Sequence, residues 1–187
     1  MSVLKRLFDI FLSIILLIIL IIPFIFIGII SVITQGIPVL LRQKRYGKNG
    51  KAFVIYKFRT MKQNAPQMAT NSLSEEYITH WGRFLRKTSI DELPQIINIL
   101  KGDMSFIGPR PLILEEQEIH KLRLENGIYS VRPGMTGWAQ INGRDEVTLE
   151  EKVVLDKYYI DNQSIMLDIK IILKSFSAVL FGKGVRK

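Results

Sequence analysis

Two adjacent carboxylates, Asp91 and Glu92, lie in the run TSIDELPQIINILKG at residues 88–102. A carboxylate can attack phosphorus, hold a hard cation or move a proton, and a neighbouring pair can divide those tasks. Ser89 stands three residues before Glu92, which fits a capping box, and Pro94 is tolerated only in the first turn of a helix. The spacing predicts a helix that starts between Ser89 and Asp91, buries Leu93, Ile96, Ile97 and Leu100, and stops at Lys101-Gly102. Free N–H groups and the helix dipole at such a start favour ionised carboxylates and attract phosphate. A plain cap, in which Glu92 closes the turn and Asp91 decorates it, fits the same residues.

Cations converge on that run from three directions. In VLLRQKRYGKNGKAFVIYKFRTM, residues 39–61, two β-prone stretches flank Gly47-Lys48-Asn49-Gly50, the signature of a hairpin. Alternation along Phe53, Ile55, Lys57 and Arg59 puts Lys57 and Arg59 on one side of the second strand, as a phosphate clamp or as a solvated face. A helix is expected over residues 74–87, capped by Ser74 and burying Tyr77, Ile78, Trp81, Phe84 and Leu85; its last turn carries Arg83, Arg86 and Lys87 into Asp91. Arg86 is therefore a candidate phosphate ligand, although cations at a helix C-terminus need no functional reason. In DMSFIGPRP, residues 103–111, Pro109 and Pro111 hold Arg110 extended and present one forked guanidinium.

The remaining elements must position these groups. A mixed-charge helix over residues 112–126 stops at Asn126-Gly127. Residues 129–144, YSVRPGMTGWAQINGR, carry Gly134, Gly137 and Gly143, which either admit a nucleotide, with Trp138 or Arg132 stacked on its base, or serve turns around a core tryptophan. Thr148 and Glu151 form a second capping box, opening a helix on which Asp156 is either a supporting acid or a surface charge. Residues 163–181 form an amphipathic helix with Lys170 and Lys174, set against the bilayer interface or packed on the domain.

The chain has 187 residues, no cysteine, two histidines and a net charge of +9, so any metal is held by oxygen, which favours Mg²⁺ or Mn²⁺. Residues 10–74 carry eight cations and no carboxylate, which suits anionic headgroups and phosphorylated ligands better than a duplex; no nucleic acid partner is expected. Residues 10–41 form a 32-residue uncharged run, over-long for one crossing of a roughly 30 Å hydrocarbon layer. Pro23 divides it, and cations flank both ends: Lys5 and Arg6 before, Arg42, Lys44 and Arg45 after. Under the positive-inside rule a re-entrant helix kinked at Pro23 satisfies both ends, whereas a single span does not. The expected organisation is a membrane segment over residues 1–41 and a compact, mostly helical α+β cytoplasmic domain with a β-hairpin over residues 42–187.

Taken together, KRLFD, RQKRYGKNGKAFVIYKFRTM, RKTSIDELPQIINILKGDMSFIGPRP, RPGMTGWAQINGR and LDKYYIDNQSIMLDIKII resemble the bacterial sugar transferases, the small monotopic phosphoglycosyl transferases. The resemblance implies transfer of a sugar phosphate from a UDP-sugar to undecaprenyl phosphate with release of UMP, at the cytoplasmic face of the bacterial inner membrane. It implies Asp91 as nucleophile on the β-phosphorus, Glu92 as a ligand of Mg²⁺, Lys57, Arg59 and Arg110 on phosphate, and Asp156 as a further site position. The TSIDELPQ to GPRP segment looks closest to members transferring N-acetylfucosamine phosphate for capsule synthesis. A homodimer is allowed. The chain departs from the family in Ile22-Pro23, where Ser-Pro is usual. A membrane-tethered scaffold that binds lipid or nucleic acid without catalysis is the competing reading.

Overall fold

The computed structural model describes residues 3–65, 75–143 and 147–181. In chain order the elements are α1 (Val3–Gln35), β1 (Leu40–Tyr46), β2 (Ala52–Phe58), α2 (His80–Lys87), α3 (Gln95–Lys101), β3 (Ser105–Ile107), α4 (Gln117–Glu125), β4 (Gly134–Thr136), α5 (Trp138–Ile141), α6 (Leu149–Asp161) and α7 (Ile165–Phe181). Helices dominate, and the strands form two small two-stranded sheets, one antiparallel and one parallel. This is the mixed class expected from the sequence.

Residues 10–35 of the apolar run lie in one 33-residue helix, Val3–Gln35, with Pro23 inside it, and the run's last residues lead into β1. At about 1.5 Å per residue the helix is about 50 Å long. Leu12, Leu16, Leu17 and Leu20, spaced for one helical face, pack on a core of Ile55, Ile96, Ile99, Met104 and Tyr159. Phe11, Ile14, Ile18, Ile22, Ile25, Phe26 and Ile29 are exposed.

Both ends of α1 are bonded to the rest of the chain. Near its start, Lys5 donates to Asp168 at 2.5 Å and to the Tyr159 hydroxyl at 2.7 Å, and Asp9 accepts from the Phe106 N–H at 3.3 Å. Arg6 donates to the carbonyls of Ile99 and Leu100 at 2.6 and 2.9 Å in the last turn of α3, where the Ile99 carbonyl also accepts from the Gly102 N–H at 3.0 Å. At its far end, the Trp81 indole N–H donates to Ser31 at 2.9 Å and Thr79 donates to Gln35 Oε1 at 2.7 Å. Few polar side chains interrupt the apolar helix, and these five turn toward the domain.

The hairpin forms as expected. Strands β1 and β2 pair antiparallel from Leu40↔Phe58 to Tyr46↔Ala52. Asn49 and Gly50, at φ 58° and 68°, take the left-handed backbone that the turn requires. The parallel pairing of β3 with β4 was not foreseen from the glycine-rich segment. It brings Gly134 so close to the preceding loop that a Cβ there would lie 2.0 Å from the Gly108 nitrogen; at Gly137 it would lie 2.2 Å from the Gly108 oxygen. Close backbone packing, rather than room for a nucleotide, accounts for these two glycines.

Two helix starts differ from expectation. Helix α2 begins at His80 with Thr79 as its cap, its side chain accepting from the Gly82 N–H, and Glu75–Tyr77 is a separate 3-10 turn. Ser74, the expected cap, lies outside the described residues. Ser89 makes no cap either: it sits at φ 56° without a side-chain bond, because the chain reverses there immediately after α2. Asp91 and Glu92 consequently lie on the 3-10 turn Ile90–Glu92, ahead of α3, whose cap position is Pro94. The Thr148–Glu151 capping box is present with both of its bonds.

Candidate active site

The short turn holding the carboxylates is fixed from both sides. Strand β2 and α2 pack against it, and α3 follows it directly. Asn98 of α3 ties the helix to β2 by accepting from the Tyr56 N–H at 3.1 Å and donating to the Val54 carbonyl at 2.7 Å. The far end of α3 is held by Arg6 and by Arg132, which donates to the Gly102 carbonyl at 2.6 Å. Arg132 therefore works at the opposite end of a two-turn helix from the carboxylates.

Glu92 is the hub of the charged groups. Its Oε1 accepts from Lys57 Nζ at 2.7 Å and from Arg110 at 2.8 Å. Burial alone would raise the Glu92 carboxyl, but Arg110 and Lys57 outweigh it and hold the group far below the usual carboxylate range. Burial pushes Lys57 down, and Glu92 opposes that shift.

Asp91 is treated differently. It makes no hydrogen bond or ion pair among the described residues, so its oxygens remain available to an incoming electrophile. Burial first, and then the neighbouring charge of Glu92, raise its carboxyl to about 6, while Lys57, Arg86 and Arg110 pull the other way. Arg86 is oriented by its Nε donating to Thr60 at 2.8 Å; burial lowers its guanidinium and Asp91 raises it. One carboxylate is thus locked in two ion pairs, and the other, unbonded among the described residues, is ionised at neutral pH.

Lys57, Arg86 and Arg110 converge on the pair. Arg59 does not, although strand alternation puts it on the same side as Lys57. Its guanidinium is buried and donates at 2.5 and 2.7 Å to the carbonyls of Gln35 and Gly36, where α1 ends. Trp138 stacks on Tyr158 with centroids 5.3 Å apart, and Lys170 lies over its ring at 5.3 Å. These contacts with α6 and α7 place it in packing and leave base stacking without support.

Asp156 is buried and ion-pairs at 2.6 Å with Arg123, which also donates to the Arg110 carbonyl at 2.7 Å. Arg123 was missed in the sequence because α4 reads as a mixed-charge helix in which any cation can be solvated. A small cavity lined by Pro109, Arg123, Tyr129 and Pro133, among others, lies behind the loop and away from the carboxylates.

No cluster of three or more His, Asp or Glu occurs among the described residues. Mg²⁺ commonly binds through one or two carboxylates and completes its shell with water and substrate phosphates. The donor set fits such an ion: both cations use Glu92 Oε1, and the Asp91 carboxylate next to it carries no bond among the described residues.

The family model for bacterial sugar transferases matches residues 1–182. The chain is 41% identical to the uncharacterized sugar transferase EpsL of Bacillus subtilis, covering 99% of this chain and 91% of that protein. It is 38% identical to the undecaprenyl-phosphate galactose phosphotransferase of Salmonella typhimurium, covering 97% of this chain and 41% of that protein. It is 43% identical to the UDP-glucose:undecaprenyl-phosphate glucose-1-phosphate transferase of Escherichia coli, covering 72% of this chain and 31% of that protein.

Proposed function

Because the chain belongs to the bacterial sugar transferase family, we propose that it transfers a sugar phosphate from a UDP-sugar to undecaprenyl phosphate through a covalent intermediate on Asp91. The observation that carries this reading is the asymmetry of the pair: Glu92 is bound by Lys57 and Arg110, while Asp91 is unbonded among the described residues and ionised above about pH 6. A group already committed to two cations is a poor base, which weighs against a non-covalent mechanism run by Glu92.

In the first step an Asp91 oxygen forms a bond to the β-phosphorus of the donor. The bond from that phosphorus to the bridging oxygen breaks, and UMP leaves with the electron pair. In the second step an oxygen of the lipid phosphate attacks the same phosphorus, and Asp91 departs as a free carboxylate. Lys57, Arg86 and Arg110 neutralise the anions that would otherwise repel the nucleophile. Glu92 holds Lys57 and Arg110 in place, and with Asp91 would hold Mg²⁺, which when bound supplies further charge neutralisation.

The membrane reading rests on α1. A helix that crosses the bilayer parts its ends by about 30 Å of hydrocarbon, and one polar domain cannot bond to both sides. Here Lys5, Arg6 and Asp9 at one end and Ser31 and Gln35 at the other all bond to the same domain. That arrangement supports a helix that enters and leaves on one face, with Pro23 at its bend. The cations at both ends favour the cytoplasmic face of the inner membrane. The reaction would be the first membrane step of capsule, O-antigen or glycoprotein glycan synthesis, with an N-acetylated deoxyamino sugar such as N-acetylfucosamine as our donor of choice.

The test is UMP release from UDP-N-acetylfucosamine, UDP-galactose, UDP-glucose and UDP-N-acetylgalactosamine, with undecaprenyl phosphate and Mg²⁺, by wild type and Asp91→Asn. The expected result is release that needs Asp91 and the metal, that stops at about one UMP per enzyme without the lipid phosphate and that continues over many turnovers with it. Comparable release from Asp91→Asn would overturn the covalent step.

A further inference from the structure

Strand β1 carries three cations, and its alternation sends them to different places. Arg42 and Lys44 are exposed on the outer face of the hairpin. Arg45 has the opposite parity: with Gln43 it lies on the face of Ile55 and Phe53, and it is half-buried. Lys57 projects from that same face of the hairpin. The inner face therefore carries a guanidinium next to the site, at a position that alternation would normally give to an apolar residue.

A buried charge is ordinarily paired. Arg45 makes no ion pair among the described residues. Its hydrogen bonds go to neutral oxygens, at 2.6 Å to Gln43 Oε1 and 3.4 Å to the Pro111 carbonyl, and its Nε is buried without a partner among the described residues. The Pro111 bond puts the guanidinium against the loop that presents Arg110 to Glu92. Burial first, and then the like charge of Arg110, press it down to about 10, while Glu116, Glu92 and Glu115 offset part of that shift from a distance. Two guanidinium groups at one loop, Arg110 carried by it and Arg45 reaching it from β1 with an unused N–H, describe a place for an oxyanion with several acceptor oxygens.

We propose that Arg45 and Arg110 form the two sides of a phosphate-binding cleft beside Asp91 and Glu92, with Arg45 as a ligand of substrate phosphate. The proposal rests on the phosphotransfer reading for the identity of its ligand. The same chemistry is offered by the diphosphate of a nucleotide sugar and by the phosphate of the lipid acceptor, and the experiment separates them.

Arg45→Met and Arg45→Lys are made in the full chain, and their folding is checked by thermal melts. Lysine keeps the charge and stem and serves as the folded variant should methionine fail. Binding of UDP and of inorganic pyrophosphate is measured by calorimetry, and KM is measured separately for the UDP-sugar and for undecaprenyl phosphate. Loss of a charge-assisted contact predicts weakening of about ten-fold or more for Arg45→Met, with lysine recovering part of it. A rise confined to UDP, pyrophosphate and the donor KM assigns the cleft to the donor. A rise confined to the lipid KM assigns it to the acceptor and keeps Arg45 as a phosphate ligand. Unchanged affinities and KM values in a folded variant, even with a lower kcat, would make Arg45 a tether for Pro111 and overturn the proposal. Failure of the function itself reads differently: wild type would release no UMP from any donor, while its UDP binding would still depend on Arg45.

Discussion

Arg123 pairs with Asp156 at 2.6 Å in the interior, 4% and 1% exposed, and spends a second guanidinium N–H on the carbonyl oxygen of Arg110 at 2.7 Å. Asp156 is thus linked to the candidate site only through Arg123. It aims Arg123, which pins the backbone of the residue whose side chain meets Glu92. Asp156→Asn leaves the guanidinium buried without its counterion, a loss expected at about 3–5 kcal/mol. Replacing both residues, as Asp156→Leu with Arg123→Met, removes the stranded charge and should restore most of the melting temperature. Activity should stay low in the double variant, because the Arg110 carbonyl loses its donor. Thermal melts paired with initial rates test this; stability and full activity recovered together would break the link from Arg123 to Arg110.

The pH dependence follows from the two carboxylates. With Asp91 raised to about 6 by burial and Glu92, kcat/KM should climb with one proton lost across that pH and then level off. Glu92, held far down by Arg110 and Lys57, should contribute no limb in the working range. Lys57 opposes the rise of Asp91, so Lys57→Met should move the acid limb to higher pH as well as slow the reaction. A limb that stays near 4 in wild type would mean that Asp91 is not desolvated in the free enzyme.

The same shift has a consequence for stability, with a sign opposite to that of a salt-bridged aspartate. A group whose folded pKa lies above its unfolded value of 3.8 binds protons more tightly when folded, so the protein loses stability as pH rises from about 4 to about 6. Above that range the ionised Asp91 costs on the order of 3 kcal/mol. Asp91→Asn should therefore melt about 6–12 °C higher than wild type at pH 7.5 while being inactive, and the gain should shrink toward pH 4. Melting curves at both values in metal-free buffer check it. An inactive variant that melts lower at pH 7.5 would mean that Asp91 is bonded in the fold.

Which parts of this could be seen in the sequence follows from how local each signal is. The hairpin turn, the Thr148–Glu151 box and the apolar α1 rest on neighbours along the chain, and all three form. Asp91, Glu92, Lys57 and Arg110 were legible as a charged group, and the structure joins Lys57 and Arg110 on one oxygen of Glu92. Ser89 misled because its capping box competes with the reversal after α2, a tertiary demand that forces φ to 56°. Arg59 has the strand parity of Lys57 and still turns away, since the carbonyls at the end of α1 need a donor that only the folded chain brings near. The parallel contact of β3 with β4, and the work of Arg123, depend on residues far apart in sequence and have no local signature.

That parallel contact supplies the last prediction. A Cβ on Gly134 would lie 2.0 Å from the Gly108 nitrogen, 2.4 Å from the Thr136 oxygen and 2.5 Å from the Gly108 oxygen, and all three are backbone atoms that cannot swing aside. Gly134→Ala must therefore push β4 off the loop that runs from Gly108 to Arg110. We expect a loss of about 2 kcal/mol or more, as for other overpacked interiors, and a fall in UMP release beyond what the lower stability explains, since Arg110 moves with the loop. Gly28→Ala is the matched control: it lies within α1, nothing stands within 4 Å of its Cβ, and alanine in a helix should be neutral or gain up to about 1 kcal/mol. Melting temperature and rate should both fall in Gly134→Ala, whereas Gly28→Ala should keep the wild-type rate with an equal or slightly higher melting temperature. A Gly134→Ala protein with wild-type stability and rate would show that the loop carrying Arg110 can yield by an ångström or more without disturbing the site.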